Sequence, residues 1–233
     1  MSKPTVVCTI LARGGGSTFH NKNLYPLLGK PVIQYALELL LQTDFITDIV
    51  VWTEDERIQQ IAKKLGAHAI DRPLSMIHYY SGFHSLEEWY TYRHEKIKSL
   101  IGYNIDYDMG YNCNYILIKP ETLNSMFKML RDNSSWACRV QGVFPVEPGL
   151  CLRNEQTGML FPFWNDGELP PEEHPPLFRM AGIGIGDPQL CSNADYRPCY
   201  YQLGADEGVD FQTEVDIPFA EYQLLRRNRQ KER

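Results

Sequence analysis

Arg13 and Lys22 stand near the two ends of the segment Ala12-Arg13-Gly14-Gly15-Gly16-Ser17-Thr18-Phe19-His20-Asn21-Lys22-Asn23, whose residue types suit the holding of a polyanion. Consecutive glycines let several backbone N–H groups approach one anion, while Arg13 adds a planar fork of donors and Lys22 a point charge. The chemistry this points to is a triphosphate cradle; the plainer reading is a flexible turn that contains glycine. No G-K-[ST] follows, so it is not a Walker loop, and the dinucleotide-binding G-x-G-x-x-G is not matched. A second group, His84, Glu87, Glu88 and His94, invites a metal reading because His84 and Glu88 lie one helical turn apart. It lacks the H-E-x-x-H pattern, and a helix with one apolar and one polar face accounts for it better. Trp89, Tyr90 and Tyr92 read as core or interface rather than as a base-stacking platform.

The elements around the glycine loop agree with a ligand role. Thr5 to Leu11 (TVVCTIL) is short, apolar and β-branched, the mark of a buried strand. After Gly29 and Lys30, Pro31 can open a helix with Ile33, Ala36, Leu37, Leu40 and Leu41 inward. The loop therefore lies at the carboxyl end of a strand, where α/β sheets bind ligands. A second strand, Asp48 to Trp52, leads to a helix from near Asp55, with Ile58, Ile61, Ala62 and Leu65 on one face and a stop at Gly66. This βαβ alternation predicts a parallel sheet. Further on, Leu86, Trp89, Tyr90, Ile97 and Ile101 fit a long helix, and Tyr115 to Ile118 fits a strand before a helix opened by Pro120. Val140 to Arg179 is rich in Pro, Gly and short apolar runs, and predicts hairpins and long loops carrying an accessory lobe. A last helix is expected from about Glu214, with Ile217, Ala220, Leu224 and Leu225 inward, before a solvated tail, RRNRQKER.

The whole chain sets limits on function. A length of 233 residues fits a single domain, 1–233, with an elaboration at 140–180. Net charge −6 lacks the footprint of a nucleic-acid binder, so any anion must be held locally. Cys8, Cys113, Cys138, Cys151, Cys191 and Cys199 form no C-x-x-C pair, which favours reduced, buried thiols over zinc or redox use. No apolar run reaches the roughly 18 residues of a membrane span, and Met1 to Ile10 lacks the regions of a secretory signal. A cytoplasmic protein without a membrane or nucleic-acid partner is expected.

The segment ARGGGSTFHNKNLYPLLGKPVI resembles, without a gap, the signature ARGGSKxIPxKN followed by L-x-P-L-x-G-K-P-L-I of the CMP-acidic-sugar synthetases, or acylneuraminate cytidylyltransferases. VVWTEDERIQQIAKKLGAHAIDRP is similar to their second block, and DFQTEVDIPFAE, Asp210 to Glu221, to their terminal D-I-D-T-x-x-D-x-x-x-A-E. The resemblance covers about the first 75 and last 25 residues. It implies a Rossmann-like nucleotidyltransferase fold of α/β class, a mainly parallel sheet with helices on both faces and a small dimerisation lobe. It further implies a homodimer that transfers CMP from CTP to an acidic acceptor, a nonulosonic-type sugar acid or a phosphonate, releasing pyrophosphate with Mg2+ as cofactor.

Carried over by position, the resemblance gives Arg13 and Lys22 the grip on the phosphates and Asp210 a magnesium ligand, all three catalytic. Ala12, Gly14, Gly15 and Asn23 match nucleotide contacts, and Arg72 the arginine that helps recognise cytosine. Arg72 has a surface ion pair as its plainer reading, Asp216 and Glu221 a helix-capping role, and Lys30 that of a loop charge. The second metal aspartate is replaced by Gln212, which keeps an oxygen but loses the charge and should hold a hard cation less strongly. Ser17 replaces the family's lysine after G-G-S, and Trp52-Thr53-Glu54 its S-T-D. Asn112-Cys113-Asn114-Tyr115-Ile116-Leu117 stands in place of the central Q-P-T-S-P-L-R, so N-acetylneuraminic acid and Kdo are expected to be poor acceptors. Two further readings stand beside this one: a nucleotidyltransferase using another NTP, and a weakened paralogue that binds nucleotide or sugar.

Overall fold

A computed structural model describes residues 3–15, 19–73, 86–146, 151–153, 156, 159–162, 177–191 and 195–231. The first strand, β1 (Val6–Leu11), is buried along almost all of its length and pairs in parallel with β4 (Asp48–Thr53) and β6 (Tyr107–Tyr111). Between β1 and β4 come the two-residue strands β2 (Pro26–Leu27) and β3 (Lys30–Pro31) and the helix α1 (Val32–Leu41). β4 is followed by α2 (Glu56–Leu65) and β5 (His68–Asp71), which extends the parallel ladder. The Asp55 carboxylate accepts from Arg57 N at 2.8 Å to cap α2, and Gly66 at φ 94° ends it.

After α3 (Leu86–Ile101) and β6, α4 (Pro120–Asp132) leads into β7 (Ala137–Val146). The chain returns through a two-stranded hairpin of β8 (Cys151–Arg153) and β9 (Leu160–Pro162) to β10 (Leu177–Gly186), which runs antiparallel between β7 and β6. With β11 (Arg197–Gln202) on β7, the sheet has seven strands in the order β11-β7-β10-β6-β1-β4-β5. β10 is the antiparallel exception in a mainly parallel sheet. The expected 140–180 segment thus begins and ends inside the central sheet, and the hairpin is what the described residues show of its middle.

Alternation along the strands gives the sheet two faces. Val6, Cys8, Ile10, Val51, Met109 and Ile185 pack with α1, α2, α4 and α5 (Ile217–Lys231) in the main core. Val7, Val50 and Trp52 pack against Ile97 of α3 on the other side, where the Trp52 and Trp89 rings meet edge-on at 5.8 Å. Helices therefore cover both faces, and Trp89 is core, as its spacing predicts.

Some expectations give way. Tyr115 to Ile118 is buried but forms turns, not a strand; the strand lies earlier, at β6. A short apolar run is silent on whether it buries as strand or loop, and here Asn112 N donates to Gly182 O as the chain leaves the ladder. The last helix does begin at Glu214, as a 3-10 turn (Glu214–Asp216) in which Asp216 accepts from Thr213 N and Thr213 Oγ1, and it continues as α5 from Ile217. Leu225 and Leu41 are exposed rather than inward. The expected frayed tail is helical through Lys231, and Arg227 Nη2 donates to Asp206 O at 3.0 Å. Among the described cysteines, Cys8, Cys113, Cys138 and Cys199 are buried free thiols and Cys191 is an exposed one. No helix among the described residues is long and apolar enough to cross a membrane.

Candidate active site

β1 has β4 on one side and β6 on the other, so the chain changes direction across the sheet there. Crevices at the carboxyl ends of strands beside such a switch point are where open α/β sheets bind ligands. A cleft of about 620 Å³ opens at this place, with Arg13, Lys22, Asn23, Arg72 and Gln212 among the residues that line it.

The glycine loop forms its near wall. Ala12 is buried, and its N–H donates to Trp52 O at 3.0 Å, which carries β1 into the loop. Asn23 Nδ2 donates to Arg13 O at 3.0 Å and ties the two ends of the loop together. Gly14 is required for close approach: a Cβ there would lie 2.3 Å from Asp55 Oδ2. Its N–H, read from the sequence as part of an anion nest, donates instead to Glu54 Oε1 at 2.8 Å. Glu54, one of the departures from the family pattern, thus occupies a donor that a phosphate could use. Gly15 is exposed, with open space around it; Gly16, Ser17 and Thr18 lie outside the described residues.

The opposite end of the chain supplies the other wall. Lys22 Nζ donates to Gln212 Oε1 at 2.8 Å, and Gln212 Nε2 donates to Asp210 Oδ1 at 2.8 Å. Asp210 Oδ2 accepts from Arg179 Nη1 at 2.7 Å and from Tyr115 Oη at 3.3 Å. Burial, joined by the Arg13 charge, lowers the Lys22 pKa below the ordinary lysine value although Asp210 pulls the other way. Burial and then Asp210 raise the Tyr115 hydroxyl. Asp216 accepts from Gln212 N and Thr213 N; burial works against its charge, yet these amides bring its pKa below the usual value. It is thereby committed to shaping the turn before α5, on which Glu221 also stands.

Arg72 is buried at the end of β5 and faces the cleft, its N–H donating to Thr53 O at 3.2 Å. The surface reading of this residue does not hold. Lys30 pairs with Glu38 at 2.6 Å and lies over the Tyr35 ring, the structural role expected of it. His94 bonds Asp108 at 3.1 Å and His84 lies outside the described residues; among those described, no group of three or more His, Cys, Asp or Glu could hold a metal ion. Burial and the neighbouring Arg93 charge hold the His94 pKa down at about 4.

Arg179 escaped the sequence reading as a site residue, and so did the contact of Tyr115 with Asp210, although the Tyr115 segment was singled out. Arg179 sits in a stretch read only as hairpins, and its spacing from Asp210 carries no periodic signal; β10 brings it to Asp210.

A family model described as cytidylyltransferase matches residues 7–148, more than half of the chain, including the glycine loop and β1 to β7. The chain belongs to the cytidylyltransferase family. Among characterised relatives of this family member, a pseudaminic acid cytidylyltransferase of Campylobacter jejuni subsp. jejuni is 41% identical over 63 residues, 27% of each chain. A 3-deoxy-manno-octulosonate cytidylyltransferase of Escherichia coli is 39% identical over 70 residues, 30% of this chain and 28% of that one. The matched segments thus span about a quarter of these relatives' length. Two solved structures share the fold. A CMP:2-keto-3-deoxy-manno-octonic acid synthetase complexed with CTP has TM-score 0.66 at 17% identity, covering 96% of this chain and 99% of that one. The 4-diphosphocytidyl-2C-methyl-D-erythritol synthase of Anaerococcus prevotii has TM-score 0.64 at 13% identity, over 96% and 100%.

Proposed function

We propose that the protein is a CTP-dependent cytidylyltransferase that transfers CMP to a sugar acid of the nonulosonic class and releases pyrophosphate. The observation that carries this reading is the Lys22–Gln212 hydrogen bond, across 190 residues of sequence. It joins the phosphate-type loop to the terminal acidic motif in a single cleft, in a chain of the cytidylyltransferase family. The family and the sugar acids named in the relatives support CTP and a carboxylate acceptor.

In this mechanism an acceptor hydroxyl oxygen forms a bond to the α-phosphorus, the bond from that phosphorus to the β-phosphate bridging oxygen breaks, and the hydroxyl proton is lost. Pyrophosphate leaves in line, and little covalent work falls to the protein. Arg13 and Lys22 neutralise charge growing on the phosphate and leaving-group oxygens. Asn23 holds Arg13 by its carbonyl, Ala12, Gly14 and Gly15 let the nucleotide approach the backbone, and Arg72 faces the cytosine. Asp210 and Gln212 present one carboxylate and one neutral oxygen side by side. That set fits magnesium arriving with a triphosphate, since the ion keeps several waters and is usually held by one or two carboxylates plus substrate phosphates. When bound, magnesium would neutralise phosphate charge. Arg179 and Lys22 contact the same pair in the free protein, so binding MgCTP requires these side chains to turn to the phosphates.

Pyrophosphate release with each of the four NTPs, across a panel of sugar acids and phosphonates, tests the reading. CTP-dependent release with a sugar acid is expected. Equal turnover with ATP or GTP would remove the cytidine assignment and the role given to Arg72, and no release with any NTP would favour a binding paralogue.

A further inference from the structure

Strand register lines up Thr9 of β1, Gly110 of β6, Gly184 of β10 and Gln141 of β7 in one row across the cleft floor. The next row reads Val7, Asp108, Gly186 and Arg139. Residues opposite one another on paired strands share a face, so Arg139 and Gln141 stand beside glycines. A Cβ on Gly184 would lie 2.7 Å from both Arg139 Nη2 and Gln141 Oε1, and one on Gly186 would lie 3.3 Å from Arg139 Cβ. Both side chains therefore lean across β10 only because it is bare there. Their polar ends lie over Gly184, and at Gly110, its partner on β6, an added Cβ would meet nothing within 4 Å.

These two groups are set to bind. Gln141 Nε2 donates to the carbonyls of Ala181 and, at 2.8 Å, Ile183, which fixes the amide and leaves Oε1 as an acceptor over Gly184. Among the described residues no carboxylate forms an ion pair with Arg139, and its buried Nε has no acceptor. A half-buried guanidinium without a counter-ion is costly, and a ligand carboxylate matching its fork would remove that cost. Arg13, Lys22 and Arg72 follow β1 and β5, whereas β7 lies three strands from β1, roughly 14 Å at the usual spacing. The cleft thus has a nucleotide end and a second, cationic end.

We propose that Arg139, Gln141, Gly110 and Gly184 form the acceptor subsite, and that it selects a sugar acid. The carboxylate takes the Arg139 fork, a neighbouring hydroxyl or acylamino N–H donates to Gln141 Oε1, and the ring lies on the bare backbone at Gly110. A neutral polyol leaves the cation unpaired and is rejected, the discrimination that a buried polar group exerts on a ligand lacking its partner. This subsite rests on the nucleotidyl-transfer reading and names the residues that choose its acceptor.

Saturation-transfer NMR and calorimetry with pseudaminic acid, Kdo, N-acetylneuraminic acid and their methyl esters, each with MgCTP present, provide the test on the wild type, Arg139→Gln and Arg139→Lys. At least one acid should bind the wild type and its ester should not. Arg139→Gln should weaken that acid roughly tenfold or more, the scale of a lost charged hydrogen bond, with Arg139→Lys in between and CTP affinity unchanged in both. Unaltered acid binding by Arg139→Gln, a loss of CTP affinity instead, or no acid bound by a wild type that binds CTP would each overturn the subsite. Acid binding through Arg139 without pyrophosphate release would leave the subsite standing and overturn the transfer reading.

Discussion

Arg13 and Lys22 face the cleft from the two ends of the glycine loop, and each supports a separate expectation. Arg13→Ala should lower kcat/KM by about 2–4 kcal/mol in transition-state terms, the usual scale for one preorganised electrostatic group; an unchanged value in a folded variant would remove it from the mechanism. Lys22 is a base whose pKa burial lowers, so it loses its proton, and with it the charge proposed to meet the phosphates, at a lower pH than a solvated lysine. The kcat/KM for CTP should therefore fall on the alkaline side before the ordinary value of 10.5. Lys22→Arg should push that limb upward; a pH profile that both proteins share would assign it to another group. In the proposed mechanism Asp210 and Gln212 would set a magnesium requirement. Asp210→Asn should abolish most activity with the fold intact, and Gln212→Asp should raise apparent magnesium affinity by adding a second carboxylate. A magnesium titration at saturating CTP reads both, and full activity of Asp210→Asn would make the terminal motif structural.

The short turn Ala205–Glu207 and the start of α4 show how elements far apart in sequence hold one another. Glu207 is buried, and its Oε1 accepts from Lys119 N and Thr122 Oγ1 at 2.8 Å each, meeting one orphan backbone donor and a buried hydroxyl at the start of α4. Its Oε2 accepts from Gly204 N at 3.2 Å. Glu207→Ala leaves these donors without a partner and should destabilise the protein by roughly 2–4 kcal/mol in chemical denaturation, given about 1–3 kcal/mol for an unsatisfied buried group. A loss near zero would mean that water takes over the carboxylate's place. No spacing rule announced the link from Glu207 to α4, because those two partners lie 85 and 88 residues away. α2 is the opposite case: Asp55, an apolar face and Gly66 are all local signals, and cap, helix and stop lie where the sequence puts them.

For the molecule as a whole, the ligand that fits the cleft should be visible as stability. CTP with magnesium at 100 times its Kd should stabilise the fold by about 2.7 kcal/mol, and the other three NTPs less at equal concentration. Thermal denaturation with each NTP checks this; an equal shift by ATP would contradict the cytosine preference. Sedimentation at several concentrations checks the expected homodimer, and a monomer throughout would leave the accessory segment without that role. The βαβ order, the glycine loop at a strand's carboxyl end and the three signature blocks were legible because they are local: apolar period, turn residues and cap residues act over a few positions. The glycine loop put Arg13 and Lys22 on the candidate list, and the resemblance of the three blocks to the CMP-acidic-sugar synthetases added Asn23, Arg72 and Asp210. Tertiary structure decided what pairing across the sheet decides: that Tyr115 to Ile118 buries as turns, that Gly14 gives its N–H to Glu54, and that Arg179 reaches Asp210. It also decided that Arg139 and Gln141 lie over bare glycines, since strand register and the antiparallel insertion of β10 come from packing among distant segments, to which no short stretch of sequence is sensitive.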